Sequence, residues 1–492
     1  MNAEMNNTAP QSRKVNWCLD LLINGEMVNG EGVPLPVENP ATEEILANPR
    51  QASMAQLDQA VAAARRAFDS GIWRDPEQRQ HLLLRLAALL EERADQFRTA
   101  LIEEVGTPLS ICQAMQLGAP IRMLRFNANA ATKDRTRFLG QDAGPPASES
   151  VIRYEPVGVV AAISAYNFPI LIAVGKIAAA LSAGCTTVLM PSPQTPLATL
   201  MLGDLIREAG FPPGVVNVVI GGADISRALT MHKGVDKVSF TGSVAVGRQV
   251  LLQAADSFKG TVLELGGKSA AIVLPDADLS KVALPLHGRY LRNAGQGCMS
   301  PTRVLVQKKK FGDFMDASRE AYAKIQVGDP WDPATTAGPL ISEKHRERVE
   351  GYVSRAVASG ARIEIGGGRP DLPRGWYMNS TLIGNVNNEA EISREELFGP
   401  VGVVMTYDTV DEAIAITNDS ELGLGGAVWG PLDQAKQVAA KMRTGTVSIN
   451  GTGNLRIDGV LAGWKHSGLG REWGEDGIME FLEPQHLQWV LD

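Results

Sequence analysis

Two side chains stand out for their chemistry before any element is assigned. Cys298 lies in NAGQGCMSPTRVLV, where Gly295 and Gly297 keep the backbone around the sulfur unobstructed and an apolar run follows. A thiol set in such a loop can meet a carbonyl carbon as a nucleophile, with few side chains in the way. On residue type alone it reads first as a buried, inert cysteine. Glu264 lies in TVLELGGKSA, at the end of an apolar strand and directly before a Gly-Gly turn. Burial there would lift its pKa toward that of a neutral-pH base, because the charged form loses its hydration. A third segment, KVSFTGSVAVG (237–247), is a short apolar strand that turns through Thr241, Gly242 and Ser243 into a helix. Free N–H groups and the positive dipole end at such a turn can hold a pyrophosphate without a basic side chain, although Ser243 is equally a plain N-cap.

Other chemistries are missing. There is no H-E-x-x-H, no G-x-S-x-G and no P-loop motif, and the dinucleotide fingerprint G-x-G-x-x-G has only near misses around Gly423–Gly426 and Gly468–Gly474, which follow no evident strand. Six histidines, scattered from His81 to His486, argue against a metal site. Cys18, Cys112, Cys185 and Cys298 form no C-x-x-C pair and no close framework, which suits a reducing cytoplasm. The polar start, MNAEMNNTAPQSRK, lacks the apolar middle of a secretory signal and reads as a frayed tail. With 47 basic against 55 acidic residues, a net charge of −8, the chain offers no overall attraction to nucleic acid or to an anionic membrane.

These residues need a scaffold, and 492 residues allow roughly two to four domains. Residues 55–132 read as a helical layer that includes a start at Asp75-Pro76, and 138–156 as an arm with an extended piece at 150–154. From Val157 strands and helices alternate as far as the 244–255 helix, the signature of a doubly wound parallel sheet. Residues 157–175 carry no charge and are nearly long enough to span a bilayer, but Asn167 and Pro169 interrupt them, so a buried strand followed by a helix is expected instead. A second α/β region follows from Thr261, with apolar runs at 270–274, 302–306, 401–406 and 446–449, and residues 483–491 read as a strand that pairs outside its own domain body.

Taken together, FTGS (240–243), ELGGKS (264–269), GQGC (295–298) and NFP (167–169) resemble the aldehyde dehydrogenase superfamily. NPAT (39–42), GFPPGVVNVV (210–219), GDPWDP (328–333), EELFGPV (395–401) and GWKHSGLGRE (463–472) agree in order and spacing, so the resemblance runs from about Leu22 to the C-terminus. It implies an α/β fold with a Rossmann-like cofactor domain at 1–137 and 157–264, an α/β catalytic domain at 265–479, and an oligomerisation arm and tail at 138–156 and 480–492. A homodimer or homotetramer is implied. Cys298 would be the nucleophile, Asn167 and the Cys298 N–H an oxyanion hole, and Glu264 the base that hydrolyses the resulting thioester to a free acid. Relatives that pass the acyl group to coenzyme A lack a glutamate at that position. Lys176 would assist proton transfer or orient Glu264; a lysine snorkelling from a helix is the alternative. Glu396 and Phe398 would hold the nicotinamide ribose and ring, Ile163, Ser164 and Leu265 line the adjoining cleft, and Gly242, Ser243 and Val246 meet the pyrophosphate.

The sequence also departs from that pattern. Met190-Pro191-Ser192-Pro193 stands where the family usually has Lys-Pro-Ser-Glu, so both polar ribose ligands are missing. NAD or NADP is left open on these residues, with NAD favoured because no arginine in 195–200 offers a partner for a 2′-phosphate. Gly175 replaces a tryptophan common in relatives, and Val460-Leu461-Ala462-Gly463-Trp464-Lys465 replaces an aromatic-rich segment. With Phe168 and Ile172 as apolar walls and Gly175 and Leu461 in place of bulk, a roomy hydrophobic pocket is expected, suited to aromatic, terpenoid or medium-chain aldehydes. Two other readings compete: a non-catalytic family member with weakened cofactor binding, and a cofactor-independent thioester or ester hydrolase that uses the same Cys298 and Glu264.

Overall fold

The computed structural model describes residues 12–451 and 455–491. Residues 1–11 of the polar start, expected to fray, lie outside the described residues.

Alternating apolar strands and helices between 157 and 264 form most of an eight-stranded sheet. Its order is Glu26–Val28, Leu21–Ile23, Val216–Val218, Thr186–Met190, Val159–Ile163, Lys237–Thr241, Gly260–Glu264 and Gly468–Leu469. The strands from Val216–Val218 to Gly260–Glu264 run parallel, joined by the helices Pro169–Ala183, Leu197–Ala209, Ala223–Met231 and Val244–Ala255. With helices covering both faces, Val159–Ile163 and Thr186–Met190 are buried at every residue, which is why they read as unbroken apolar runs. The chain winds outward from Val159–Ile163 in one direction through Thr186–Met190. It then returns to add Lys237–Thr241 on the opposite side, so the winding reverses between Val159–Ile163 and Lys237–Thr241. In open α/β sheets that reversal leaves a crevice at the carboxyl ends of the two strands.

The uncharged stretch 157–175 resolves into the Val159–Ile163 strand and the start of the Pro169–Ala183 helix, which has proline in its first turn and ends at Gly184 in the left-handed region, φ +98°. Among the described residues no helix is long and apolar enough to cross a membrane. The helical layer is built from Met54–Ser70, Pro76–Glu92, Ala94–Val105 and Ala119–Ala131, and Asp75 caps the second of these by accepting from Glu77 N, 3.1 Å. A π-helical turn, Cys112–Gly118, leads into the last one.

A second, seven-stranded sheet has the order Arg362–Ile365, Thr381–Gly384, Val401–Tyr407, Arg303–Gln307, Ala270–Val273, Gly425–Trp429 and Thr446–Ile449. It is parallel except at Arg362–Ile365. The glycine near miss at 423–426 lies in the short strands Leu422–Gly423 and Gly425–Trp429, and the one at 468–474 runs from the edge strand Gly468–Leu469 to the start of the short helix Gly474–Met479. The arm and the tail find each other: Leu482–Val490 pairs antiparallel with Ser148–Pro156 along its whole length, and Arg137–Asp142 adds a third strand. The arm strand is longer than the 150–154 expected from turn residues alone, because the tail supplies hydrogen-bond partners that local propensity does not register.

Candidate active site

The Gly260–Glu264 strand pairs in register with Lys237–Thr241, so Glu264 sits opposite Thr241 at the carboxyl end of the sheet, beside the reversal point. Glu264 is buried, and one carboxyl oxygen, Oε1, has no hydrogen-bond partner. Its pKa lies well above the usual carboxylate range. Burial is the main cause and the charge on Glu472 adds to it, while Lys176 acts in the opposite direction. The two glycines that follow admit close neighbours. A Cβ on Gly266 would lie 2.2 Å from Glu396 Oε2, and one on Gly267 would lie 2.5 Å from the Cys298 carbonyl oxygen. The ELGG turn therefore lets the Cys298 loop and Glu396 close on the strand end that carries Glu264.

Cys298 is half-buried and follows an unusual turn. Asn293, Ala294 and Gly295 have φ values of +53°, +53° and +73°, consecutive left-handed residues of which only the last lacks a Cβ penalty. A Cβ on Gly295 would lie 2.0 Å from the Gly399 carbonyl oxygen. Buried amides hold this turn. Gln296 Nε2 donates to Asn293 O (3.1 Å) and Pro339 O (3.3 Å), and its Oε1 accepts from Ile341 N (3.0 Å) and Tyr166 Oη (3.1 Å). Asn167 Nδ2 donates to Gln296 O at 3.0 Å, which brings one of its two amide protons to the cysteine loop and leaves the other for a further acceptor. From the π-helical turn, Gln116 Nε2 donates to Asn167 O (3.1 Å) and to Thr107 Oγ1 (3.1 Å), whose hydroxyl donates to Asn293 Oδ1 (3.0 Å). Burial pushes the Cys298 thiol well above its usual pKa, reinforced by Glu264 and Glu396; the N–H groups of Met299 and Cys298 oppose this. Burial thus disfavours the charged form of both the thiol and the carboxyl.

Lys176 does not snorkel. Its side chain is fully buried, and Nζ donates to Glu472 Oε1 at 2.6 Å and to Ser239 Oγ at 3.1 Å. The sequence reading placed Lys176 near Glu264 but missed Glu472, whose only signal was an acid inside the family-like segment ending at 472. It also missed Gln296, Gln116 and Thr107, because nothing in local spacing separates a buried amide from a surface one.

The crevice continues into a cleft of about 1150 Å³ whose lining includes Ser243, Val244, Arg248, Arg348, Glu396 and Leu422. Ser243 is the N-cap of Val244–Ala255, accepting from Val246 N at 3.3 Å, so the plain-cap reading holds for its side chain while the first turn of the helix faces the cleft. Gly242 follows the strand end, and Leu265 packs where a Cβ on Gly247 would otherwise sit. Ile163 and Ser164 end the neighbouring strand. Ser164 Oγ and Thr241 Oγ1, on either side of the reversal, are buried without a partner. Glu396 accepts from Gly267 N at 2.9 Å, and burial raises its pKa to about 7. One helix, Glu343–Ala358, holds the chain here: Arg348 donates to Glu396 O and Leu397 O, and His345 Nε2 to Phe398 O at 2.7 Å. Phe398 is thereby kept at φ +60° with Tyr166 packed edge-on at 5.8 Å. His345 and Arg348 were not legible in the sequence. The set combines N–H donors, unpartnered hydroxyls and a carboxylate, which suits a phosphorylated polyol. Among the described residues no cluster of His, Cys, Asp and Glu could hold a metal ion.

Phe168 and Ile172 stand on successive turns of the helix that starts beside Asn167, and Leu461 is buried. The expected roominess at Gly175 is corrected. The indole of Trp473 and the Met123 sulfur occupy the space that glycine opens, because the strand and turn around 461–473 fold back on to this helix. Trp464 is exposed and pairs away from the pocket.

Residues 27–487 match the aldehyde dehydrogenase family. The chain is 40% identical to geranial dehydrogenase from Castellaniella defragrans over 89% of its own length and 92% of that protein's. Among solved structures, betaine aldehyde dehydrogenase from Staphylococcus aureus in complex with NAD+ superposes with a TM-score of 0.92 at 35% identity, covering 96% of this chain and 95% of that one. A mutant of aldehyde dehydrogenase C from Pseudomonas syringae, complexed with NAD+ and octanal, does so with a TM-score of 0.91 at 35% identity, covering 97% and 98%.

Proposed function

Since this chain belongs to the aldehyde dehydrogenase family, we propose that it oxidises an apolar aldehyde to the carboxylic acid with NAD as preferred cofactor, through a thiohemiacetal and a thioester on Cys298. The observation that carries this reading is the convergence of Cys298, Glu264 and the Asn167 amide at the carboxyl end of one parallel sheet, next to a cleft large enough for a dinucleotide.

Bound nicotinamide dinucleotide supplies the acceptor for the aldehyde's hydride. The first turn of the Val244–Ala255 helix, with Gly242, Ser243 and Val246, would hold its pyrophosphate, and Glu396 and Phe398 its nicotinamide ribose and ring. Ile163, Ser164 and Leu265 would line the space between. Fit to this chain rests on the unpartnered Ser164 and Thr241 hydroxyls at the ends of the two strands that flank the reversal, and on the Glu396 carboxylate in the cleft lining. A nicotinamide cofactor is supported by the NAD+ in the two related structures, and the preference for NAD rests on the lack of an arginine in 195–200 to meet a 2′-phosphate.

The Cys298 thiol gives its proton to the neighbouring Glu264 carboxylate, the thiolate attacks the carbonyl carbon, and the carbonyl oxygen gains negative charge. The spare Asn167 proton and the Cys298 N–H are the donors available to that oxygen. Once the acyl group is held as a thioester and Glu264 has released its proton to solvent, its carboxylate takes a proton from water, hydroxide attacks the acyl carbon, the C–S bond breaks, and the leaving thiolate takes that proton back from Glu264. An apolar substrate is supported by the apolar side chains of Phe168, Ile172 and Leu461, by a relative named geranial dehydrogenase and by another solved in complex with octanal. A division into a cofactor half (1–137, 157–264) and a catalytic half (265–479) is supported by the presence of two separate sheets, with Gly468–Leu469 of the second half adding an edge strand to the first sheet. Exposed Phe138, Leu139 and Val490 on the arm and tail suit burial in a homodimer or homotetramer. A reducing cytoplasm suits four free cysteines.

The test is reduced-cofactor absorbance with NAD and with NADP across aliphatic, aromatic and terpenoid aldehydes. Wild type should turn over apolar aldehydes and Cys298→Ala should lose at least about 10³-fold in kcat. Ester hydrolysis without any aldehyde-dependent cofactor reduction would refute the reading.

A further inference from the structure

We propose that Trp473 sets the length of aldehyde this chain accepts by occupying the place of a side chain at position 175; the proposal rests on the aldehyde-oxidising reading above. A Cβ on Gly175 would lie 3.3 Å from Trp473 Nε1, 3.8 Å from its Cδ1 and 3.9 Å from Met123 Sδ. The glycine is therefore a seat for the indole: an alanine there needs the ring to give by a few tenths of an ångström, and a side chain that extends further in that direction must displace it.

Trp473 is held in that seat from several directions. Two consecutive residues dock on two consecutive residues of the Pro169–Ala183 helix: Glu472 on Lys176 through the 2.6 Å ion pair, and Trp473 on Gly175. Leu461 and Glu472 exchange both backbone hydrogen bonds at 2.8 Å, Gly474 N donates to Ile457 O at 3.1 Å, and Gly477 N donates to Trp473 O at 2.9 Å. The tryptophan backbone itself sits at φ +62°, ψ 163°, a conformation unfavourable for any residue but glycine. Such a conformation persists only because its surroundings over-determine it.

The position along the helix gives Trp473 its role. Asn167, which binds the cysteine loop, precedes the first turn, and Ile172 and Gly175 lie further along the same helix. At about 1.5 Å per residue, Gly175 is roughly 9 Å along the axis from Pro169, where the helix begins two residues after Asn167. Trp473 therefore meets the tail of a substrate whose carbonyl is at Cys298, and does not meet its head. A short aldehyde ends beside Phe168 and Ile172, whereas a long linear one runs into the indole.

The experiment measures kcat/KM for linear aldehydes from butanal to dodecanal in wild type, Trp473→Ala and Trp473→Leu. The two substitutions should raise the dodecanal-to-butanal ratio by about tenfold or more, since each further buried methylene is worth about fourfold. Gly175→Trp alone should lower activity on every substrate by displacing the indole, and Gly175→Trp combined with Trp473→Ala should restore a ratio close to that of wild type. A uniform change at all chain lengths in both Trp473 variants overturns the proposal. Failure of wild type to reduce either cofactor with any aldehyde would instead overturn the aldehyde-oxidising reading, and this proposal with it.

Discussion

The buried Lys176–Glu472 pair offers the sharpest test of how the site is tuned. Lys176 Nζ is out of solvent, 2.6 Å from Glu472 Oε1 and 3.1 Å from Ser239 Oγ. Glu472→Ala leaves the ammonium facing a single hydroxyl. Breaking a buried pair from one side costs about 3–5 kcal/mol, so at about 2 °C per kcal/mol for a large domain Tm should fall by roughly 6–10 °C. Glu472→Gln keeps an acceptor at the same place and removes only the charge, so its loss should be smaller, on the order of 1–3 kcal/mol. The sign of the second effect follows from Glu264. Burial raises its pKa first, the Glu472 charge raises it further, and Lys176 lowers it. Removing the Glu472 charge while keeping Lys176 must therefore lower the Glu264 pKa and extend thioester hydrolysis to more acid pH. The assay is the pH profile of single-turnover deacylation, normalised to each variant's own plateau and read together with thermal unfolding. If Glu472→Gln destabilises as much as Glu472→Ala, or if its acid limb stays put or moves to higher pH, the charge argument is wrong.

Gly295→Ala should be among the most damaging single-methyl changes in the chain, because the new Cβ would lie 2.0 Å from Gly399 O in a left-handed turn. A kcat loss of at least about 100-fold is expected from displacement of the Cys298 loop, and near-wild-type kcat would contradict it. Gln116→Leu removes donors to both Asn167 O and Thr107 Oγ1. It should lower kcat more than it raises KM, and should cost about 1–3 kcal/mol of stability from the acceptors left unpaired. Glu396 has its pKa raised to about 7 by burial, so NAD binding that relies on its carboxylate should tighten as pH rises from 6 to 8. Isothermal titration should show that slope in wild type and its absence in Glu396→Gln.

The parallel sheet and most of its crossovers were legible because a strand covered on both faces must be apolar throughout, as Val159–Ile163 and Thr186–Met190 are. The nucleophile and base candidates were legible for a different reason. Cys298 and Glu264 each lie near glycines, and at Gly295 and Gly267 a backbone oxygen closes to within 2.5 Å of a would-be Cβ. Local sequence could not say which partner fills the space. Gly175 looked like a void, yet Trp473 from a segment almost 300 residues later occupies it. For Lys176 the sequence left a solvent-reaching alternative beside the role at Glu264, and the pairing with Glu472 in the interior excludes that alternative. The amides Gln116, Gln296 and Asn293 carry no local mark of burial, although together they hold the cysteine turn. Strand, helix and turn are written in short-range periodicity and steric permission. The packing of a cavity and the pairing of a buried charge depend on groups brought together only when the 461–473 return segment folds back, and no short stretch of chain contains both sides of those contacts.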